Sequence, residues 1–240
     1  MQQSVYSTPL KTACSACNLR ELCLPIELSG PEMTRLDALV TRKTAYRRHT
    51  NLYRCGEKFH ALYAIRSGFF KTQVLHEDGR EQVTGFQMAG EIIGMDAISS
   101  DIHTCDAVAL EDSEVCEIPF TRLEELSREI PALQRHLHRI LSREIVRDQG
   151  IMLLLGSMHA EERLAAFLLN LSQRFAARGY SPTAFQLRMT RQEIGSYLGL
   201  KLETVSRTLS QFQLRGLIRI QNKSLQFLDI AALQALIKPR

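Results

Sequence analysis

Residues 130–155 constrain this chain more than any other stretch. They hold no glycine before Gly150, and their one proline, Pro131, stands where a first helical turn tolerates it. Leu133, Leu137, Leu141, Ile145, Met152 and Leu155 recur in steps of four, with a three-plus-four step across Asp148. That spacing draws one apolar stripe along about seven turns of helix. A long helix with so narrow a stripe pairs with a second helix more often than it lies on a globular core. Residues 129–157 are therefore expected to form a dimerisation helix. Asp148 falls in the stripe between Ile145 and Met152. In a parallel two-fold pair it faces its own copy, and two close carboxylates repel in a poorly solvated seam. Ile145, Asp148 and Met152 thus make an expected dimer switch, weak enough to be tipped either way. The plainer alternative is a long single-chain helix with Asp148 at its wet edge.

At 240 residues the chain can bury two modest cores. It is 45% apolar without a long apolar run, so a membrane span is not expected. Residues 1–10 lack the layout of a secretory signal, which makes a cytoplasmic location the expectation. The net charge of +4 is unevenly spread. From His159 onward there are 12 Lys/Arg against 5 Asp/Glu, and before it 18 against 21. A basic final third on a slightly acidic chain suits a polyanion partner there.

Six cysteines in a chain with cytoplasmic features point to metal or redox chemistry before structural disulfides. Cys14, Cys17 and Cys23 stand within ten residues, spaced to converge on one centre from a short loop. Three thiolates leave a tetrahedral ion or a cluster one ligand short, and spacing alone suits zinc and iron–sulfur equally. There is no Cys-His-Asn layout, P-loop or dinucleotide fingerprint, so an enzyme is not expected.

After a short amphipathic helix over residues 31–42, the pattern changes to β segments: 52–55, 61–66, 69–75, 82–88, 105–110 and 115–118. Gly56, Gly68, Gly79, Gly90 and Pro119 punctuate them. Strands this short and regularly broken favour an antiparallel roll or jelly roll. In the last of them Cys116 and Ile118 point one way and Val115 and Glu117 the other. On pattern alone Cys116 is a small buried side chain.

The final third reads as helices. Residues 161–177 carry Leu164, Phe167, Leu168, Leu171 and Phe175 on one face, with Gly179 as a stop. Phe185, Leu187 and Met189 alternate as a strand. Thr190-Arg-Gln-Glu193 is a capping box opening a helix, Gly199 makes a turn, and a second helix runs over 202–215. Ile218, Ile220, Leu225 and Phe227 flank Asn222-Lys223 as a hairpin wing, and Asp229 caps a last helix. On the second helix Val205, Leu209 and Phe212 face inward, while Glu203, Ser206, Arg207 and Ser210 face outward. Arginine can grip a guanine edge with two bonds and glutamate can accept from cytosine, both in the major groove. A solvated face with an incidental Glu–Arg pair is the alternative, but the cap, turn, wing and local charge agree on DNA binding.

Several of these segments resemble the FNR branch of the Crp/Fnr family of bacterial transcription regulators. The likeness runs from Cys14 to about Leu228. It rests on Leu62-Tyr-Ala-Ile-Arg-Ser-Gly68, Val115-Cys-Glu-Ile-Pro-Phe120, Ala160-Glu-Glu-Arg-Leu-Ala-Ala-Phe167, Ile194-Gly-Ser-Tyr-Leu-Gly-Leu200 and Glu203-Thr-Val-Ser-Arg207. The fold it implies is α+β: a cysteine loop over 1–30, an antiparallel β-roll sensor over 31–128, the dimerisation helix over 129–157, and a winged helix-turn-helix over 158–240.

The resemblance also implies an oxygen-sensing regulator with a [4Fe–4S] cluster on Cys14, Cys17, Cys23 and Cys116, leaving Cys55 and Cys105 outside the ligand set. It implies that Glu203, Ser206 and Arg207 read each half of a palindromic double-stranded DNA site resembling TTGAT-N4-ATCAA. The resemblance implies further that an intact cluster favours the homodimer and that surface loops such as residues 76–80 touch RNA polymerase. Zinc or thiol-redox control on the same scaffold is one competing expectation. A cyclic-nucleotide receptor is another. Gly90-Glu91 would hold the ribose, but Thr104-Cys105 stands where such receptors carry an Arg-Ser grip on the phosphate, so no cyclic nucleotide is expected.

Overall fold

The computed structural model describes residues 14, 17, 19–23, 28–40, 42–75 and 79–237. Residues 1–12, and 76–78 of the 76–80 loop, lie outside the described residues. The chain divides into two compact units, Met1–Ile145 and Val146–Arg240.

In the first unit, α1 (Arg20–Cys23) and α2 (Gly30–Leu39) precede eight strands: β1 (Arg42–Tyr46), β2 (Asn51–Tyr53), β3 (Ala61–Ser67), β4 (Phe69–Leu75), β5 (Glu81–Met88), β6 (Ile92–Ile93), β7 (Asp106–Ala109) and β8 (Ser113–Pro119). They form two four-stranded sheets, β1-β8-β3-β6 and β2-β7-β4-β5, antiparallel throughout. Ile65, Ile93 and Val115 from the first sheet meet Phe70, Ala107 and Ala109 from the second, which makes the core of the roll. The other face of the first sheet, with Leu62, Ala64, Ile92 and Ile118, is covered by Leu36 of α2, Leu123 and Leu126 of α3 (Phe120–Glu129), and Ile130 and Leu133 beyond it. Removing each such Leu or Ile from water contributes roughly 1.5–3 kcal/mol. Burial on both faces explains why β3 is nearly all apolar instead of alternating.

Three expectations need correction. The first helix ends at Leu39, short of residue 42, because β1 begins at Arg42. β1 is a polar edge strand, so no apolar alternation announced it. A separate helix, α3, fills residues placed within the roll, and it stops at Ile130 in extended geometry (φ −118°, ψ 95°). That residue precedes Pro131, whose ring disfavours helical geometry at the position before it. The long helix α4 therefore runs Pro131–Ser157 and starts two residues later than expected.

The apolar stripe on α4 divides. Leu133 is fully buried and Leu137 packs on the same cluster, whereas Ile145 is 58% and Met152 70% exposed. Asp148 is exposed between them, and Val146 and Leu153 widen the uncovered apolar surface. Among the described residues no helix is long and apolar enough to cross a membrane.

In the second unit, α5 (Ala160–Ala176) buries Leu164, Phe167, Leu168 and Leu171. A three-stranded sheet, β10-β11-β9, joins β9 (Ala184–Gln186), β10 (Ile218–Gln221) and β11 (Ser224–Phe227). Only the first of Phe185, Leu187 and Met189 lies in a strand, though all three are buried. Helices α6 (Arg191–Leu198), α7 (Leu202–Leu214) and α8 (Ile230–Leu236) complete the unit.

Candidate thiol site and nucleic-acid interface

The helix-turn-helix is set by local chemistry. Thr190 Oγ1 accepts the Glu193 N–H at 3.1 Å while Glu193 accepts the Thr190 N–H at 2.7 Å, a reciprocal cap on α6. Gly199 ends α6 at φ +63°, and a Cβ on Gly195 would stand 2.5 Å from the Leu200 carbonyl oxygen, so the turn closes only over bare backbone. On α7, Val205, Leu209 and Phe212 are buried. Glu203 and Arg207 are exposed and Ser206 is half-buried, which leaves those three on the outer side. The wing turns at Asn222, whose φ is +56°, and Lys223 is exposed at its tip.

Sequence reasoning missed the residue that ties this unit to the end of α4. Arg163 donates from Nε to the Met158 carbonyl (2.8 Å), from Nη2 to Leu155 (2.7 Å) and from Nη1 to Leu198 (3.1 Å). One guanidinium thus satisfies carbonyls at the C-terminal ends of α4 and α6, which helices leave without partners. A buried Tyr197 on α6 hydrogen-bonds Arg147 of α4. In the sequence Arg163 directly follows Glu161 and Glu162 and reads as one more charge on the first turn of α5, so nothing local announces such a joint.

Three of the thiols, Cys14, Cys23 and Cys116, lie on the helix-covered face of the first sheet. Alternation along β8 puts Cys116 with Ile118 on that face and Val115 on the other, as expected. Cys14 and Cys23 pack against the same cluster. The Cys14 N–H donates to the Asp37 carboxylate on α2, and the Cys17 N–H to the Cys14 carbonyl at 3.1 Å. Burial, then the Asp37 carboxylate, pushes the Cys14 thiol up to about 12, with Cys116 and Cys17 adding to it. Burial raises Cys23 further, again with Cys14, Cys116 and Cys17 contributing. The four sulfurs are electrostatic neighbours, yet they are not drawn onto one point. Among the described residues no three His, Cys, Asp or Glu side chains are grouped closely enough to hold a metal ion.

The other two cysteines stand apart. Cys55 is exposed and its N–H donates to Asp106 at 2.8 Å. Cys105 is buried in the roll and hydrogen-bonds Asp96 and Tyr53, and burial pushes it up to about 12. Asp96 also accepts the Thr104 N–H at 2.8 Å and the Tyr53 hydroxyl at 3.3 Å. His103 lies flat on Tyr53, with ring centroids 3.7 Å apart at 11°.

Residues 43–129 match the cyclic nucleotide-binding domain model, and residues 162–236 match the Crp-like helix-turn-helix domain model. The chain is 47% identical to the fumarate and nitrate reduction regulatory protein of Escherichia coli K12 over 210 residues, 88% of this chain and 84% of that one. It belongs to the FNR branch of the Crp/Fnr family. The transcriptional regulatory protein btr of Bordetella pertussis is 45% identical over 99% of this chain and 98% of its own length. Among solved structures, FixK2 from Bradyrhizobium japonicum superposes with a TM-score of 0.78 at 30% identity, covering 84% of this chain and all of that one. This FNR-branch chain is accordingly a transcription regulator with a helix-turn-helix DNA-binding domain, and not an enzyme. Its roll has the cyclic-nucleotide domain fold, but the Glu91 carboxylate accepts the Met88 N–H of its own turn at 3.1 Å.

Proposed function

We propose that this chain is a cytoplasmic, oxygen-responsive regulator. It binds a palindromic site resembling TTGAT-N4-ATCAA as a homodimer while a [4Fe–4S] cluster on Cys14, Cys17, Cys23 and Cys116 is intact. It contacts RNA polymerase through surface loops. What supports this reading is that Cys14, Cys23 and Cys116, from two distant chain segments, pack against one covered face of the roll, with Cys17 an electrostatic neighbour of Cys14 and Cys23. Four sulfurs with no imidazole among them fit an iron–sulfur centre, and fit zinc as well. Buried thiols this hard to ionise stay protonated unless a cationic centre compensates them. When bound, the cluster supplies an oxidant-labile cross-link between the N-terminal segment and β8. The chain's own part is to hold α1 beside β8. Cyclic-nucleotide control is disfavoured, because Thr104-Cys105 offers no cation and Asp96 and Glu91 are engaged within the roll.

Anaerobic purification tests the proposal. The protein should be brown, with iron and sulfide in equal amounts, and dimeric on its operator. Air should bleach it, return it to monomers and weaken operator binding in step. Colourless protein holding only zinc, or metal-free protein that binds the operator as tightly as the anoxic form, rejects it.

The exposed face of α4 around Ile145, Asp148 and Met152 is the proposed dimer seam. Paired carboxylates about 5 Å apart at an effective dielectric of 20–40 repel by roughly 2–3 kcal/mol. Asp148→Ala should therefore raise the dimerisation constant in air by about 30- to 150-fold, as read by sedimentation. A variant that stays monomeric in air at concentrations where the anoxic wild type is dimeric removes Asp148 from the switch.

A further inference from the structure

Leu22 of α1 lies directly over Gly90. A Cβ on Gly90 would stand 2.9 Å from Leu22 Cβ and 3.0 Å from its Cδ1. Leu22 Cβ is rigidly attached to its backbone, so a side chain at Gly90 must displace α1 itself and not merely a flexible tip. Gly90 adopts φ +85° in a turn fastened to β3, with its N–H donating to the Ile65 carbonyl at 2.7 Å and the Ile65 N–H donating to Glu91 at 2.9 Å. Next along β3 is Ala64, which pairs with Cys116 on one side and Ile92 on the other. Ala64, Ile92 and Cys116 share the helix-covered face. The covered face thus crosses three neighbouring strands from Cys116 through Ala64 to Ile92, and Gly90 stands in the turn that leads into Ile92. At Gly90 Leu22 is seated, and the next residue is Cys23.

We propose that Gly90 is a positioning residue for the thiol site. Its bare backbone is the seat for Leu22, and this contact holds α1 on the roll before any metal arrives, so that Cys23 is presented to Cys116. The functional meaning of the seat rests on the cluster reading above. Seating α1 in advance removes the entropy of ordering a loop of three thiols at the moment of loading. It also places the β5–β6 turn in direct contact with the cysteine segment, so a change at the thiols is felt at once by the sheet.

The test uses full-length, metal-free protein under anoxia, pulsed with N-ethylmaleimide and read cysteine by cysteine by mass spectrometry. Exposed Cys55 and buried Cys105 serve as internal standards for an open and a closed thiol. In the wild type, Cys23 should react at least about tenfold more slowly than Cys55. Gly90→Ala and, separately, Leu22→Ala should each bring Cys23 within about threefold of Cys55 while Cys105 stays closed. Gly79→Ala controls for backbone strain alone, because Gly79 has φ +81° with nothing within 4 Å of its added Cβ, and it should leave Cys23 slow. A Cys23 that is fast in the wild type, or unchanged by both variants, overturns the seat. Iron and sulfide uptake by the same wild-type preparation separates the two readings. A seated Cys23 in protein that takes up no iron sinks the cluster and leaves the seat standing. Iron uptake with a fast metal-free Cys23 sinks the seat alone.

Discussion

Cys116→Ser should fold normally and fail to load iron. Cys116 is half-buried in β8, where its backbone is held in register with Lys43 on one side and Ala64 on the other. Exchanging sulfur for oxygen leaves that ladder intact. The loss of folding stability should be about 1 kcal/mol, seen as a small fall in Tm. The loss at the thiol site is of another order, because a serine hydroxyl does not replace a thiolate on iron. Anoxic operator binding should then fall to the non-specific level, a drop of about a thousandfold or more. Cys105→Ser should show the reverse pattern. It places a hydroxyl in the buried setting of Tyr53 and Asp96, costs stability, and leaves iron content unchanged. If Cys116→Ser retains wild-type iron and sulfide under anoxia, Cys116 is not a ligand and the site must be rebuilt from other residues.

How far these sites were legible depended on whether their causes were local. The capping box at Thr190, the turns at Gly68, Gly79 and Gly90, and the two faces of α7 follow from neighbours a few residues away, and they stand where the pattern put them. β1 was illegible because an edge strand has no need of an apolar alternation. α3 was hidden because Leu123 and Leu126 mark too short a stripe to separate a helix from a strand. The thiol site was half legible. Close spacing grouped Cys14, Cys17 and Cys23, and alternation put Cys116 on the face of Ile118. Nothing local says that helices cover that face, so Cys116 joined the group only through family resemblance. The contacts of Leu22 with Gly90 and of Arg163 with Leu198 join distant positions, those of Arg163 with Leu155 and Met158 and of Cys105 with Asp96 reach across irregular turns, and no periodicity encodes any of them.

Arg207→Ala should abolish discrimination at guanine while leaving the reading helix in place. Val205, Leu209 and Phe212 anchor α7 from its buried side, and Arg207 is exposed on the opposite side, so truncation removes a contact without disturbing the helix. A bidentate arginine–guanine contact carries about 1–3 kcal/mol of discrimination. A two-fold dimer makes it once in each half-site, so the combined loss is roughly 2–6 kcal/mol, about 30-fold to 10⁴-fold in specific affinity. The decisive comparison is with an operator whose guanine is replaced in both TTGAT halves. Wild-type protein should lose affinity on that operator, whereas Arg207→Ala should bind the two operators alike. Lys223→Ala, at the exposed tip of the wing, provides the contrast. A lysine beside the phosphate backbone weakens all sequences uniformly and lowers the salt dependence without changing preference. If Arg207→Ala still prefers the guanine operator, base reading lies elsewhere on α7, and Glu203 is the next residue to truncate.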